Sequence, residues 1–180
     1  MMTMSAEAHR YVPPKGEDGL RHWQVAGGVI MNGSSVLLVK NLRPGGGVDW
    51  STPGGVIDPG ESPIEGLTRE DEEETGVRVS TWNGPLYRVE VHAPDAGFCL
   101  EVEAHLALVS EGEIIVDDPD GIVVEATYVE RVAAASYLGD NHPWVVEPLL
   151  AHLIDGVQDG RLFRYRMTGA RGQKRRVERL

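Results

Sequence analysis

Glu70, Glu73 and Glu74 fall at i, i+3 and i+4, the spacing that sets three carboxylates on one side of a helix within about one turn. Like charges so close repel. A helix that needs only solubility intersperses lysines, yet the stretch from Glu61 to Glu74 holds seven acids and a single base, Arg69. Clustered carboxylate oxygens are hard ligands suited to Mg²⁺ or Mn²⁺, whose charge offsets the repulsion. Taken alone, these residues admit two readings: a divalent-metal site, or an acidic solvated helix face.

The helix that must carry them is well punctuated. Ser62 can cap its first amides, Pro63 suits the first helical position, Glu65 can close a capping box onto Ser62, and Gly76 supplies the stop. Upstream, Trp23 to Met31 and Ser35 to Leu42 read as strands of a hairpin turning at Asn32-Gly33. The loop from Arg43 to Asp49, with Gly45, Gly46 and Gly47, is either a mobile segment flanking a site or a solvated connection. Leu86 to His92, Phe98 to Val109 and Ile122 to Val129 read as further strands. In the second of these Phe98, Leu100, Val102, Ala104, Leu106 and Leu108 share one side, with Glu101, Glu103 and His105 opposite. Trp144 to Ile154 carries Val145, Leu149, Leu150, Leu153 and Ile154 at helical spacing. This order describes an α+β sandwich rather than a doubly wound parallel fold.

A chain of 180 residues, 41% hydrophobic and 25% charged, is expected to build about one domain with a core of its own. The reading is residues 1–20 as a flexible N-terminal segment, 21–160 as the folded domain and 161–180 as a basic C-terminal tail. The tail holds eight Lys/Arg and one acid, a local +7, so that a net charge of -11 leaves -18 on the rest. So acidic a body repels nucleic acid and favours cations. Cys99 is the single cysteine, which excludes an internal disulfide; no Cys/His set has the sequence spacing of a zinc site, and a reducing, cytoplasmic setting is consistent. The opening MMTMSAEAHR has no apolar stretch behind its charge, and no run reaches the roughly 18 apolar residues of a membrane span.

Gly55, five residues, Glu61, seven residues, then Arg69-Glu70-Asp71-Glu72-Glu73-Glu74-Thr75-Gly76-Val77 resembles the Nudix box. Many positions are constrained at once over 23 residues, and the preceding Trp50-Ser51-Thr52-Pro53-Gly54 looks like the family's approach to the box. The resemblance implies a Nudix α/β/α sandwich with a mixed central sheet. It also implies metal-dependent hydrolysis of a nucleoside diphosphate derivative such as ADP-ribose or another nucleotide sugar, a dinucleoside polyphosphate or a nucleoside triphosphate. Glu70, Glu73 and Glu74 would be the metal ligands, with the carbonyl of Gly54 completing the shell and Glu61 assisting metal or water binding. Arg69 would orient a box carboxylate. Many relatives are dimers, so a homodimer is compatible; a nucleotide-binding domain without turnover is the rival reading.

One position departs from the box. An apolar residue is expected where Asp71 stands, in the middle of the inward stripe Ile64, Leu67, Thr68 and Thr75. Buried there, its carboxylate needs a cationic or hydrogen-bonding partner, a locally wet face, or a proton. The general base is expected outside the box near Tyr128-Val129, with Glu125 the first choice. Asp117, Asp118, Asp120, Glu111 and Glu113 are further options, and Glu73 or Glu70 could act through a metal-bound water. In the tail, Phe163, Tyr165 and Met167 alternate with Arg164 and Arg166 as on a strand docking its aromatic side on the body. The histidines read as scattered structural or surface residues.

Overall fold

The computed structural model describes residues 11–139, 141–170, 172 and 174–180, so residues 1–10 of the expected lead-in lie outside it. Its elements are β1 (Arg21–Val29), β2 (Met31–Asn32), β3 (Ser35–Leu42), β4 (Val48–Ser51), β5 (Gly54–Val56), α1 (Pro63–Thr75), β6 (Arg78–Ala93) and β7 (Phe98–Glu111). After these come β8 (Val123–Glu130), α2 (Ala134–Leu138), α3 (Pro143–Asp155), β9 (Arg161–Thr168) and β10 (Arg176–Arg179). A six-stranded mixed sheet runs β10-β9-β6-β7-β1-β5, with β1 parallel to β7 and β6 parallel to β9. Leu67 of α1 packs on Ala26 and Ile57 at one face, while Leu149 and Leu153 of α3 join Val89, Phe163 and Tyr165 in the core at the other. The α/β/α sandwich with a mixed central sheet is therefore the observed architecture. Among the described residues no helix is long and apolar enough to cross a membrane.

A smaller sheet pairs β3 with β2, β4 and β8. Here the hairpin expectation needs correction. Residues 21–29 of the first strand belong to the large sheet, and the chain changes sheets at the buried Ile30. The turn is shifted by one residue, since Asn32 pairs with Ser35 and the two loop residues are Gly33 and Ser34. Gly33 alone has a positive φ, 60°, which matches a II′-type turn rather than the I′ turn of an Asn-Gly hairpin.

Three further elements, β6, β7 and α3, differ from their patterns, while β9 keeps its alternation. β6 begins at Arg78, well before the alternating stretch, because β7 pairs with it along most of its length through several register shifts. His105, assigned to the polar side of β7, is 5% exposed beside Gly84, and Ile154 of α3 is exposed while Pro148 is buried. The residues read as a tail are structural: β9 adds to β6 in parallel, and Phe163, Tyr165 and Met167 are buried while their arginine neighbours face outward.

Candidate active site

The site is built where α1 crosses the β1–β5 pair. Local chemistry starts the helix: the Ser62 Oγ accepts from Glu65 N at 3.3 Å, and the Glu65 carboxylate accepts from Ser62 N at 2.8 Å. Gly76 closes it with φ 75°. Beneath the helix lies bare backbone. Gly54 pairs with Gly27 at φ 133°, where a Cβ would run into the carbonyl of Ala26. A Cβ on Gly55 would lie 2.6 Å from the Glu70 carboxylate. The two glycines form a cradle that lets the helix acids reach the main chain.

Glu74 enters this cradle and accepts from the Gly54 amide at 2.8 Å. It is only 8% exposed, and burial, reinforced by Glu70, Asp118 and Asp71, pushes its carboxyl well above the usual range despite that hydrogen bond. Burial also raises Glu70, against the pull of Arg69 and with the help of Glu73 and Asp120. Arg69 is the counterweight. Its Nε and Nη2 donate to the two oxygens of Glu61 at 2.9 Å each, while Nη1 donates to Glu70 at 2.8 Å and to Glu73 at 3.4 Å. These hydrogen bonds hold Glu61 below the ordinary carboxylate range and raise the guanidinium further.

Glu70, Glu73 and Glu74 thus share one end of the helix, but each turns an oxygen to a protein donor rather than to one common point. The donor set fits a divalent cation. All are hard oxygens, two are raised by burial and mutual repulsion, and added positive charge would relieve both.

The loop after β7 supplies two more acids. Ile115 N donates to Thr75 O at the helix end, which brings the chain over the cleft. Asp118 and Asp120 line that cleft of about 130 Å³ together with Glu70, Glu74, Gly54, Gly55 and Arg43. Asp118 is tied up: its two oxygens accept from the amides of Asp120, Ile122 and Val123. Asp120 donates and accepts nothing through its side chain among the described contacts, and it stands exposed at the rim. Glu125, the first choice for a base, is elsewhere: it pairs with Lys40 at 3.2 Å on the exposed face of β8 and does not line the cleft. Glu111, Glu113 and Asp117 do not line it either.

An adjoining apolar cleft of about 190 Å³ between α3 and the sheet shares Arg43, Ser51 and Gly54 with the acidic one. Arg43, at the start of the glycine loop, is clasped by Asp49 through two hydrogen bonds of 2.6 and 2.8 Å. The sequence left this loop as either a flank of a site or a solvated connection and did not single out Arg43 within it.

Asp71 lies inside the helix packing and away from the cleft. It is fully buried; one oxygen is 3.4 Å from the Thr75 hydroxyl and the other has no partner. Of the expected cationic or hydrogen-bonding partners, only the long Thr75 contact is present among the described residues, and it serves one oxygen. Burial, partly offset by Thr75, pushes its pKa up to about 7, so the carboxyl takes up a proton as the pH falls through neutrality.

A family model of the NUDIX domain matches residues 21–148. The chain belongs to the Nudix family. No curated protein matches it by sequence. Among solved structures the Nudix domain is similar to a MutT NUDIX hydrolase from Burkholderia pseudomallei, at 25% identity and a TM-score of 0.59, covering 72% of this chain and 95% of that one. It is also similar to a MutT protein from Bacillus halodurans, at 20% identity and a TM-score of 0.60, covering 87% and 97%. An ADP compounds hydrolase shares the fold at 19% identity and a TM-score of 0.59, covering 79% and 80%. The Nudix box of this chain is the segment from the cradle at Gly55 through α1 to Val77.

Proposed function

We propose that this Nudix domain hydrolyses a phosphoric anhydride bond in a nucleoside diphosphate derivative with Mg²⁺ or Mn²⁺ held by Glu70, Glu73 and Glu74. Gly54 and Glu61 support that set. The observation that carries the reading is the burial of Glu74 against the bare Gly54-Gly55 backbone, beside Glu70 and Asp118, where its carboxylate meets a backbone amide and other acids but, among the described contacts, no side-chain cation.

The divalent ion, when bound, supplies charge to the diphosphate oxygens and acidifies an attacking water. Arg69 holds Glu61 ionised and aims both Glu61 and Glu70, and the glycine cradle admits substrate phosphates close to the helix acids. Asp120, free of other donors at the rim, accepts the proton of the attacking water as its oxygen bonds phosphorus and the anhydride P–O bond breaks. Arg43 faces both clefts and meets the phosphates, while the apolar cleft under α3 receives the less polar part of the substrate. The products are a nucleoside monophosphate and a phosphorylated second moiety, or a monophosphate and pyrophosphate from a triphosphate.

The test is a nucleotide panel incubated with protein and Mg²⁺ or Mn²⁺, with phosphate-containing products separated and quantified. Turnover of at least one diphosphate derivative that stops on chelation is the expected result. Tight nucleotide binding without any product would overturn the reading in favour of a binding domain.

A further inference from the structure

On the far end of β1 from the acidic cleft, three side chains of different chemistry converge. His22 is paired in register with Cys99 of β7, so their side chains share a face of the sheet. The loop before β1 folds back over that face: Gly16 N donates to Leu20 O at 2.8 Å and Gly19 N to Gly16 O at 3.0 Å. This places Asp18 above the pair. Its Oδ1 accepts from Leu20 N at 3.0 Å and its Oδ2 lies 2.9 Å from His22 Nε2, so the loop holds it in place. One ligand atom from each of Asp18, His22 and Cys99 lies within 4.8 Å of the other two.

We infer that Asp18, His22 and Cys99 form a second metal site, selective for Zn²⁺ and similar transition ions. A carboxylate, an imidazole and a thiolate are the donor types zinc takes, whereas Mg²⁺ and Mn²⁺ favour the all-oxygen set on α1. Tetrahedral zinc with these ligands separates donor atoms by roughly 3.3–3.6 Å. The adjustment falls to Asp18 and His22, whose side chains are about half exposed and have room to turn. His92 of β6, in register with Cys99, lines a cavity of about 330 Å³ beside His22 and Cys99, and the fourth position is left to water. Binding exchanges the thiol proton of Cys99 for the metal and releases it to solvent. The consequence is a clasp between the loop ahead of β1 and the middle of the sheet, remote from the helix acids.

The experiment is a titration of the metal-free full chain with Co²⁺ followed by absorbance, then displacement by Zn²⁺. A thiolate-to-cobalt charge-transfer band saturating at one equivalent is expected. Cys99→Ser removes it, and His22→Ala and Asp18→Asn each weaken Co²⁺ binding by more than about tenfold, the lower bound for disturbing even a group behind a ligand. Asp18 and His22 are exposed, so these two variants keep the fold. Glu70→Gln leaves the band unchanged, which separates this site from the cleft on α1. Absence of the band at stoichiometric Co²⁺, or a band insensitive to His22→Ala, would overturn the inference.

Discussion

Arg69 grips Glu61 with two parallel hydrogen bonds of 2.9 Å, and with its remaining nitrogen reaches Glu70 at 2.8 Å. One guanidinium therefore orders two box carboxylates at once, which a lysine cannot do from a single point charge. Arg69→Lys is expected to lower kcat for the hydrolysis by about tenfold or more, the equivalent of roughly 1.4 kcal/mol of lost positioning. Steady-state kinetics at saturating metal check this; unchanged kcat would show that the fork has no part in turnover.

Glu74 sets stability against chemistry. Its buried carboxylate is costly in the metal-free protein, while an amide at the same place can still accept from Gly54. Glu74→Gln should raise the metal-free melting temperature by about 2–4 °C, corresponding to roughly 1 kcal/mol, and should abolish activation by Mg²⁺. Calorimetric melting and a metal-dependence assay on the same preparation read both halves.

Asp71 gives a pH signature. Its folded pKa of about 7 stands above the 3.8 of an unperturbed aspartate, so the folded state binds more protons between those values. Stability then falls as pH rises through this window, and the deficit is complete above about 7. Asp71→Leu should be more stable than the parent at pH 8, by up to about 4 kcal/mol on a gap near three pH units. The advantage should shrink towards pH 4. Urea melts at the two pH values decide it; an equal effect at both would mean that Asp71 does not titrate here.

Asp120 and Glu125 separate the two locations for a base. Asp120→Asn is expected to lower kcat by about 10²-fold or more, with little effect on metal affinity, whereas Glu125→Gln should stay near parental kcat because Glu125 faces Lys40 outside the cleft. The reverse pattern in initial-rate measurements would return the role to β8.

Strand β9 is part of the core. Phe163 is 3% exposed and packs edge-on against Tyr87. Phe163→Ala should cost about 3–5 kcal/mol, and ending the chain at Gly160 should prevent cooperative unfolding altogether. Circular dichroism melts test both.

What could be read in advance was local. Ser62, Pro63, Glu65 and Gly76 act within a few residues of themselves, so α1 and its acid face followed from spacing. Pairing between distant segments was hidden. The passage of the chain from one sheet to the other at Ile30 depends on β7 and β8, which lie far downstream and supply the partners of β1 and β3. His105 looked polar-facing by alternation, but Gly84 opposite leaves space that closes over its ring. Asp118 and Asp120 were among several loop acids, and that they line the cleft while Glu125 does not depends on a fold of the chain, fastened by Ile115 N to Thr75 O, that spacing does not encode. The Asp18, His22 and Cys99 group has no sequence spacing to announce it, because strand register alone makes neighbours of His22 and Cys99.

The two glycines under the helix constrain how this protein can change over time. Any side chain at position 54 collides with main chain, and one at position 55 displaces the Glu70 carboxylate, so neither residue has a single-step neighbour that leaves the floor and its acids as they are. New substrate preferences must instead arise in the glycine loop after β3 and the acidic loop after β7, where added bulk meets open solvent. The chemistry is frozen in a patch of naked backbone, and diversification is left to its rim.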